Sequence, residues 1–214
     1  RSGEQFPGLP GLAKERIKLW HHPRPSGCGF CVMVKIETAY ILAGGQSRRM
    51  GQDKLFLSLD GSTLLERVID TCRKSFRLTK LVAKGQNKFR KFDIPVLLDY
   101  PGVAGPLAGI LAALRDCRES ACFISAADLP DLDGETISDL VHQYEGEEFL
   151  GLKETENIQP LCGIYSTALI DRLLKESKKP DYRIHEIIMT LNYRLLPVKK
   201  NVWRNINTPQ DLVI

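Results

Sequence analysis

The segment Leu42-Ala-Gly-Gly-Gln-Ser-Arg-Arg-Met-Gly-Gln-Asp-Lys54 holds residue types suited to gripping a polyphosphate. Gly44 and Gly45 let backbone N–H groups approach a phosphate or a base without interference from a Cβ. Arg48, Arg49 and Lys54 add positive charge; an arginine can bind bidentately, whereas a lysine acts as a point charge. The segment is not a Walker A loop, because no G-x₄-G-K-[ST] occurs in it. A bare Gly-Gly would read as an ordinary turn. Three cations close behind the glycines turn the reading towards anion binding.

A second cluster is Ser125-Ala-Ala-Asp-Leu-Pro130. After an apolar run, Asp128 stands where a hard cation could bridge it to phosphates; the alternative is an aspartate that only shapes the turn before Pro130. The third is Asp99-Tyr-Pro-Gly-Val-Ala-Gly-Pro-Leu-Ala-Gly109. Gly105 and Pro106 open a helix, proline being favoured in a first turn, and helix N-termini attract anions and polar ligand edges. Asp99 could accept bonds from a sugar or base, although this segment alone reads equally as loop and helix packing. The fourth, Asn205-Ile-Asn-Thr-Pro-Gln-Asp-Leu212, places Thr208 and Pro209 as an N-cap and first helical residue. It leaves Asn205 and Asn207 open to ligand contacts.

The elements that must position these residues follow from apolar spacing. Ile36–Ala43 is a short apolar run ending in glycines, a buried strand feeding a loop. Leu64, Leu65, Val68, Ile69 and Cys72 recur at helical spacing, as do Leu107, Ile110, Leu111 and Leu114, and Ile137, Leu140, Val141 and Tyr144. Strands are expected at 80–84, 96–99, 121–126, 149–153, 159–165, 194–198 and 203–206, with further helices over 169–174 and 184–191. Such alternation predicts an α/β protein, a three-layer α/β/α Rossmann-like fold with a mostly parallel central sheet. Ligands of such sheets sit at the carboxyl ends of the strands, where all four clusters fall.

The 214 residues suffice for one well-buried domain. We read 36–214 as a single domain and the glycine- and proline-rich residues 1–35 as a flexible leader, a tag or an upstream extension, with Met33 as the natural start. The net charge of +4 is mild, and the basic residues are scattered among acidic ones. No nucleic-acid stripe and no apolar run long enough for a membrane span is seen. Cys72, Cys117, Cys122 and Cys162 suit buried thiols of a reducing compartment, hence the cytoplasm. Cys28 and Cys31 have redox or metal spacing but lack a second pair, and are read as free thiols.

Taken in order along 36–212, these four clusters resemble the molybdenum cofactor guanylyltransferase (MobA) family. The long glycine–arginine segment is the specific part; G-P-L-A-G, A-D-L-P and N-I-N-T-P-Q-D-L support it. The resemblance implies transfer of GMP from GTP to molybdopterin, with Mg²⁺ as cofactor and pyrophosphate released. It implies that Leu42, Ala43, Gly44 and Gly45 contact the nucleotide, Lys54 its phosphates and Asp99 the guanosine part. Asp128 would ligate Mg²⁺, and Arg48 and Arg49 would join Lys54 in offsetting phosphate charge. Lys84 lies near a further nucleotide position of the family, where the surrounding residues differ. Asn205 and Asn207 would face the pterin. Transient contacts with other cofactor-biosynthesis proteins and acceptor molybdoenzymes are implied as well. Competing readings are a relative using CTP or a sugar phosphate, and a nucleotide-binding module without turnover. Gly45 leans towards GTP, by resemblance, and the presence of both Lys54 and Asp128 against the module.

Overall fold

The computed structural model describes residues 35–44, 54–59, 61–154 and 157–198, all within the compact unit Val34–Ile214. Except for Lys35, the leader lies outside the described residues. So do Gly45, Arg48, Arg49, Asn205, Asn207 and the strand expected at 203–206.

The first strand, β1 (Thr38–Leu42), is an interior strand of a seven-stranded sheet and is buried through Ile41. A strand covered on both faces is apolar throughout, which explains its lack of alternation. A two-stranded hairpin, β2 (Ser58–Leu59) and β3 (Ser62–Thr63), leads into helix α1 (Leu64–Ser75). Thr63 and Glu66 close a capping box at the start of α1, each side chain taking a backbone N–H of the other. The helix buries Leu64, Leu65, Val68, Ile69 and Cys72, the stripe its spacing predicts.

Next come β4 (Leu78–Ala83) and β5 (Val96–Leu98), followed by α2 (Gly105–Asp116), β6 (Ala121–Ala126) and α3 (Gly134–Gln143). Strands β7 (Phe149–Glu154) and β8 (Asn157–Ser166), helices α4 (Ile170–Glu176) and α5 (Ile184–Ile188) and strand β9 (Tyr193–Pro197) complete the described body. The sheet order is β5-β4-β1-β6-β8-β7-β9. Strand β8 runs antiparallel to both neighbours, and the other pairings are parallel. The fold is therefore the expected α/β/α arrangement around a mostly parallel sheet. One core packs α1 and α3 on one face; the other packs α2, α4 and α5 on the opposite face.

The chain winds outwards from β1 to β4 and β5 through α1, then returns through α2 to place β6 on the other side of β1. That reversal opens a crevice at the carboxyl ends of β1 and β6, the usual ligand position in such sheets. Main-chain bonds continue the register beyond these ends: Ala43 N–H donates to Val82 O (2.8 Å), Ala127 N–H to Leu42 O (3.1 Å) and Asp99 N–H to Ala83 O (3.1 Å).

Two details depart from the spacing rules. The helix expected over 184–191 stops at Ile188, because Thr190 Oγ1 donates to Ile187 O (2.7 Å) and the chain tightens into i→i+3 turns. Asn87–Phe92 forms a 3₁₀ turn that the sequence reading leaves as loop. Its buried Phe89 and Phe92 lie three positions apart, the eclipsed spacing of that helix.

Candidate active site

The cleft at the carboxyl ends of β1 and β6 is lined by Leu42, Ala43, Gly44, Lys54, Leu55, Pro106, Ala126, Ala127, Asp128 and Leu161, around a volume of about 100 Å³. Lys54 Nζ donates to Asp128 Oδ2 at 2.5 Å. Asp128 sits in the turn after β6, where the fully buried strand Ala121–Ala126 delivers it to the carboxyl end of the sheet. Lys54 opens a 3₁₀ turn, Lys54–Phe56. That turn is pinned by Leu55, which is buried in the core, and by Phe56, whose ring stacks on Phe92 at 6.0 Å. Arg73 of α1 in turn holds the main chain of Phe92 and Asp93 through bonds of 3.1 and 2.6 Å to their carbonyls.

Gly44 also borders a second cavity of about 350 Å³, shared with Ala43, Lys84, Gly85, Gln86, Asn87 and Lys88. Asp99, just past β5, leans its carboxylate on Gly44: a Cβ built there would stand 3.2 Å from Asp99 Oδ2. Partial burial raises the Asp99 carboxyl above the ordinary aspartate value, and the Lys84 ammonium offsets part of that. Gly44 thus lies between an ion pair at Asp128 and a second charged pair at Asp99. A cavity of this size, with few convergent polar groups, suits the base and sugar of a nucleotide.

The structure therefore gathers Leu42, Ala43, Gly44, Lys54 and Asp128 in one cleft, and brings Lys84 and Asp99 to its other flank. Leu55 and Leu161 of the first cavity, and Gly85, Gln86, Asn87 and Lys88 of the second, lie outside the four clusters. The strand-end rule would have pointed to 86–88, because they follow β4 directly. A further cavity of about 260 Å³ between α3, β7 and β9 is lined by Asp133, Glu135, Asp139, the polar Thr136 and Gln143, and apolar groups. Its described lining residues include no cation, in contrast to Lys54 in the cleft between β1 and β6.

Among the described residues there is no cluster of three or more metal-ligating side chains. A hard cation on Asp128 would complete its shell with water and ligand phosphates, as Mg²⁺ commonly does. The donor chemistry of the cleft fits such an ion.

The chain matches the MobA-like NTP transferase domain over residues 39–192. This protein belongs to the MobA-like NTP transferase family. It is 32% identical over 181 residues to an Aquifex aeolicus protein named "Probable molybdenum cofactor guanylyltransferase", covering 83% of this chain and 89% of that one. A protein of the same name from Carboxydothermus hydrogenoformans is 34% identical over 185 residues, covering 81% and 92%. Among solved structures, molybdopterin-guanine dinucleotide biosynthesis protein A from Archaeoglobus fulgidus superposes with a TM-score of 0.70 at 28% identity, covering 82% of this chain and 94% of that one. As a member of the family, the chain is a nucleotidyltransferase, and the cleft on Gly44 is its candidate active site. No helix among the described residues is long and apolar enough to cross a membrane.

Proposed function

We propose that this nucleotidyltransferase transfers GMP from GTP to molybdopterin, forming molybdopterin guanine dinucleotide and releasing pyrophosphate. The Lys54–Asp128 pair against Gly44, at the crevice between β1 and β6, carries this reading for the reacting phosphates. The names of the relatives support guanine and molybdopterin.

No protein base is required. A phosphate monoester has a second pKa of about 6 and is largely dianionic at neutral pH. An oxygen of the acceptor phosphate forms the new bond to the α-phosphorus of GTP as the bond to the β-phosphate oxygen breaks. The pyrophosphate leaves with that electron pair. Charge repulsion and alignment are the obstacles, so catalysis is positioning and electrostatic stabilisation. Lys54 offsets charge on the departing phosphates, and we assign Arg48 and Arg49 the same task. Leu42, Ala43, Gly44 and Gly45 hold the nucleotide by main-chain contact, with Lys84 and Asp99 on its base and sugar side. Asp128 would hold Mg²⁺, which would supply Lewis-acid stabilisation of phosphate charge. Asn205 and Asn207 are assigned to the pterin. Three buried free thiols, Cys72, Cys122 and Cys162, support a reducing, cytoplasmic setting, in which cofactor-biosynthesis proteins and acceptor molybdoenzymes would be transient partners.

The test is incubation with GTP, Mg²⁺ and molybdopterin, followed by mass detection of the dinucleotide. A dinucleotide formed with CTP in preference to GTP would overturn the assignment of the base.

A further inference from the structure

The loop between β5 and α2 supplies Asp99 at one end and Pro106 just beyond the other, so its shape sets both flanks of the nucleotide cleft. Its own sequence does little to hold that shape. Gly102 and Gly105 adopt φ of 76° and 64°, in the region open chiefly to glycine, and glycines leave the unfolded chain many alternatives. Ala104, the N-cap of α2, has no side chain with which to cap the helix.

The loop is pinned from elsewhere. At its start, Tyr100 N–H donates to Ala108 O (3.1 Å), and Arg115 Nη1 donates to Tyr100 Oη (3.2 Å) from the far end of α2. At its end, Tyr182 reaches in from the segment between α4 and α5. Its hydroxyl donates to Ala104 O at 2.6 Å and accepts from Ala104 N–H at 3.1 Å. One phenol thus satisfies both main-chain groups of the residue directly before Gly105, across 78 positions of sequence. The first two pins are local to the loop and α2, whereas Tyr182 ties the loop to the α4–α5 layer.

We propose that Tyr182 is a positioning residue of the nucleotide cleft: by clamping Ala104 it keeps Pro106 and Asp99 at the spacing in which both border the nucleotide. This rests on the nucleotidyltransferase reading above. Tyr182→Phe removes the hydroxyl and keeps the ring, so packing is conserved. A phenol that serves only the fold would move the melting temperature and leave affinity unchanged for a folded chain.

Wild type and Tyr182→Phe are titrated calorimetrically with GTP, ATP, CTP and UTP in Mg²⁺, well below either melting point. The expected result is a dissociation constant for the preferred nucleotide raised by about fivefold, the scale of one partly exposed hydrogen-bonding group. Weakening by less than twofold overturns the proposal. A wild type that prefers another nucleotide overturns the GTP assignment, and the Tyr182 comparison is then read on that nucleotide. A wild type that binds none of the four overturns both.

Discussion

Lys54 Nζ stands 2.5 Å from Asp128 Oδ2, although 74 positions separate the two residues. Their side chains are 21% and 26% exposed, so water screens the pair and its share of folding stability is small. What the pair does is place one cation and one carboxylate at the crevice between β1 and β6. There a triphosphate would compete for the lysine and a metal ion for the aspartate.

Asp128→Asn and Lys54→Met are expected to lower transfer by about 10² or more, the usual scale for removing one electrostatic stabiliser at a reacting phosphate. Each should shift unfolding free energy by less than about 1 kcal/mol. Steady-state rates at saturating GTP, taken with urea denaturation, check both halves. Near-wild-type turnover in either variant would remove it from the machinery.

Gly44→Ala tests the close approach of Asp99. The backbone at Gly44 is not in the left-handed region, so an alanine there meets its difficulty in the Asp99 carboxylate, 3.2 Å from the new Cβ. Nucleotide binding should weaken severalfold while the melting temperature changes little. Gly109→Ala offers a contrast. Its Cβ would stand 3.0 Å from Leu42 Cδ2 in the packing of α2 on β1. The change in melting temperature reports whether Leu42 can yield enough to keep the roughly 1 kcal/mol that alanine gains over glycine in a helix.

Asp99 should give nucleotide affinity a pH dependence that an ordinary aspartate would not. Partial burial raises its carboxyl above the usual value, so protonation begins at a higher pH on descent from neutrality. If the ionised form accepts bonds from the nucleotide, affinity falls as pH falls through that raised value. The same shift makes ionised Asp99 a cost to the empty fold, present in full above its folded pKa and relieved below its unfolded one. Asp99→Asn should therefore flatten the acid limb of the binding profile relative to wild type and slightly stabilise the ligand-free protein at neutral pH. Parallel binding and melting series from mildly acidic to neutral pH decide it; an unchanged acid limb would remove Asp99 from the ligand contacts.

Thr63→Ala should cost about 1 kcal/mol by opening the capping box of α1, and should leave turnover unchanged below the melting range. Main-chain and hydroxyl bonds from Thr63 hold the Glu66 carboxyl below its usual value. Its contribution is thus present above the unfolded value and lost as pH falls through the folded one. Loss of turnover in a Thr63→Ala protein that is still folded would show a wider role for α1 than the cap.

Local chemistry in the sequence was enough for much of this. The apolar run before Gly44, the stripe Leu64–Cys72 and the turn chemistry at Gly105-Pro106 each depend on neighbours within a few residues, and the helices and strands they imply are present. Family membership was legible for the same reason, since the four clusters lie in order along the chain. The reversed direction of β8 was not legible, because its buried stretch Cys162–Tyr165, covered on both faces, carries no mark of its orientation. Nor was the approach of Asp99 to Gly44, or the reach of Tyr182 to Ala104, for each joins segments whose separation is set by the winding of the sheet. Sequence spacing placed Lys54 on a basic loop and Asp128 at a strand end. Only the reversal of the chain between β5 and β6 decided that the two would meet, because strand order, and not distance along the chain, determines which strand ends share a crevice.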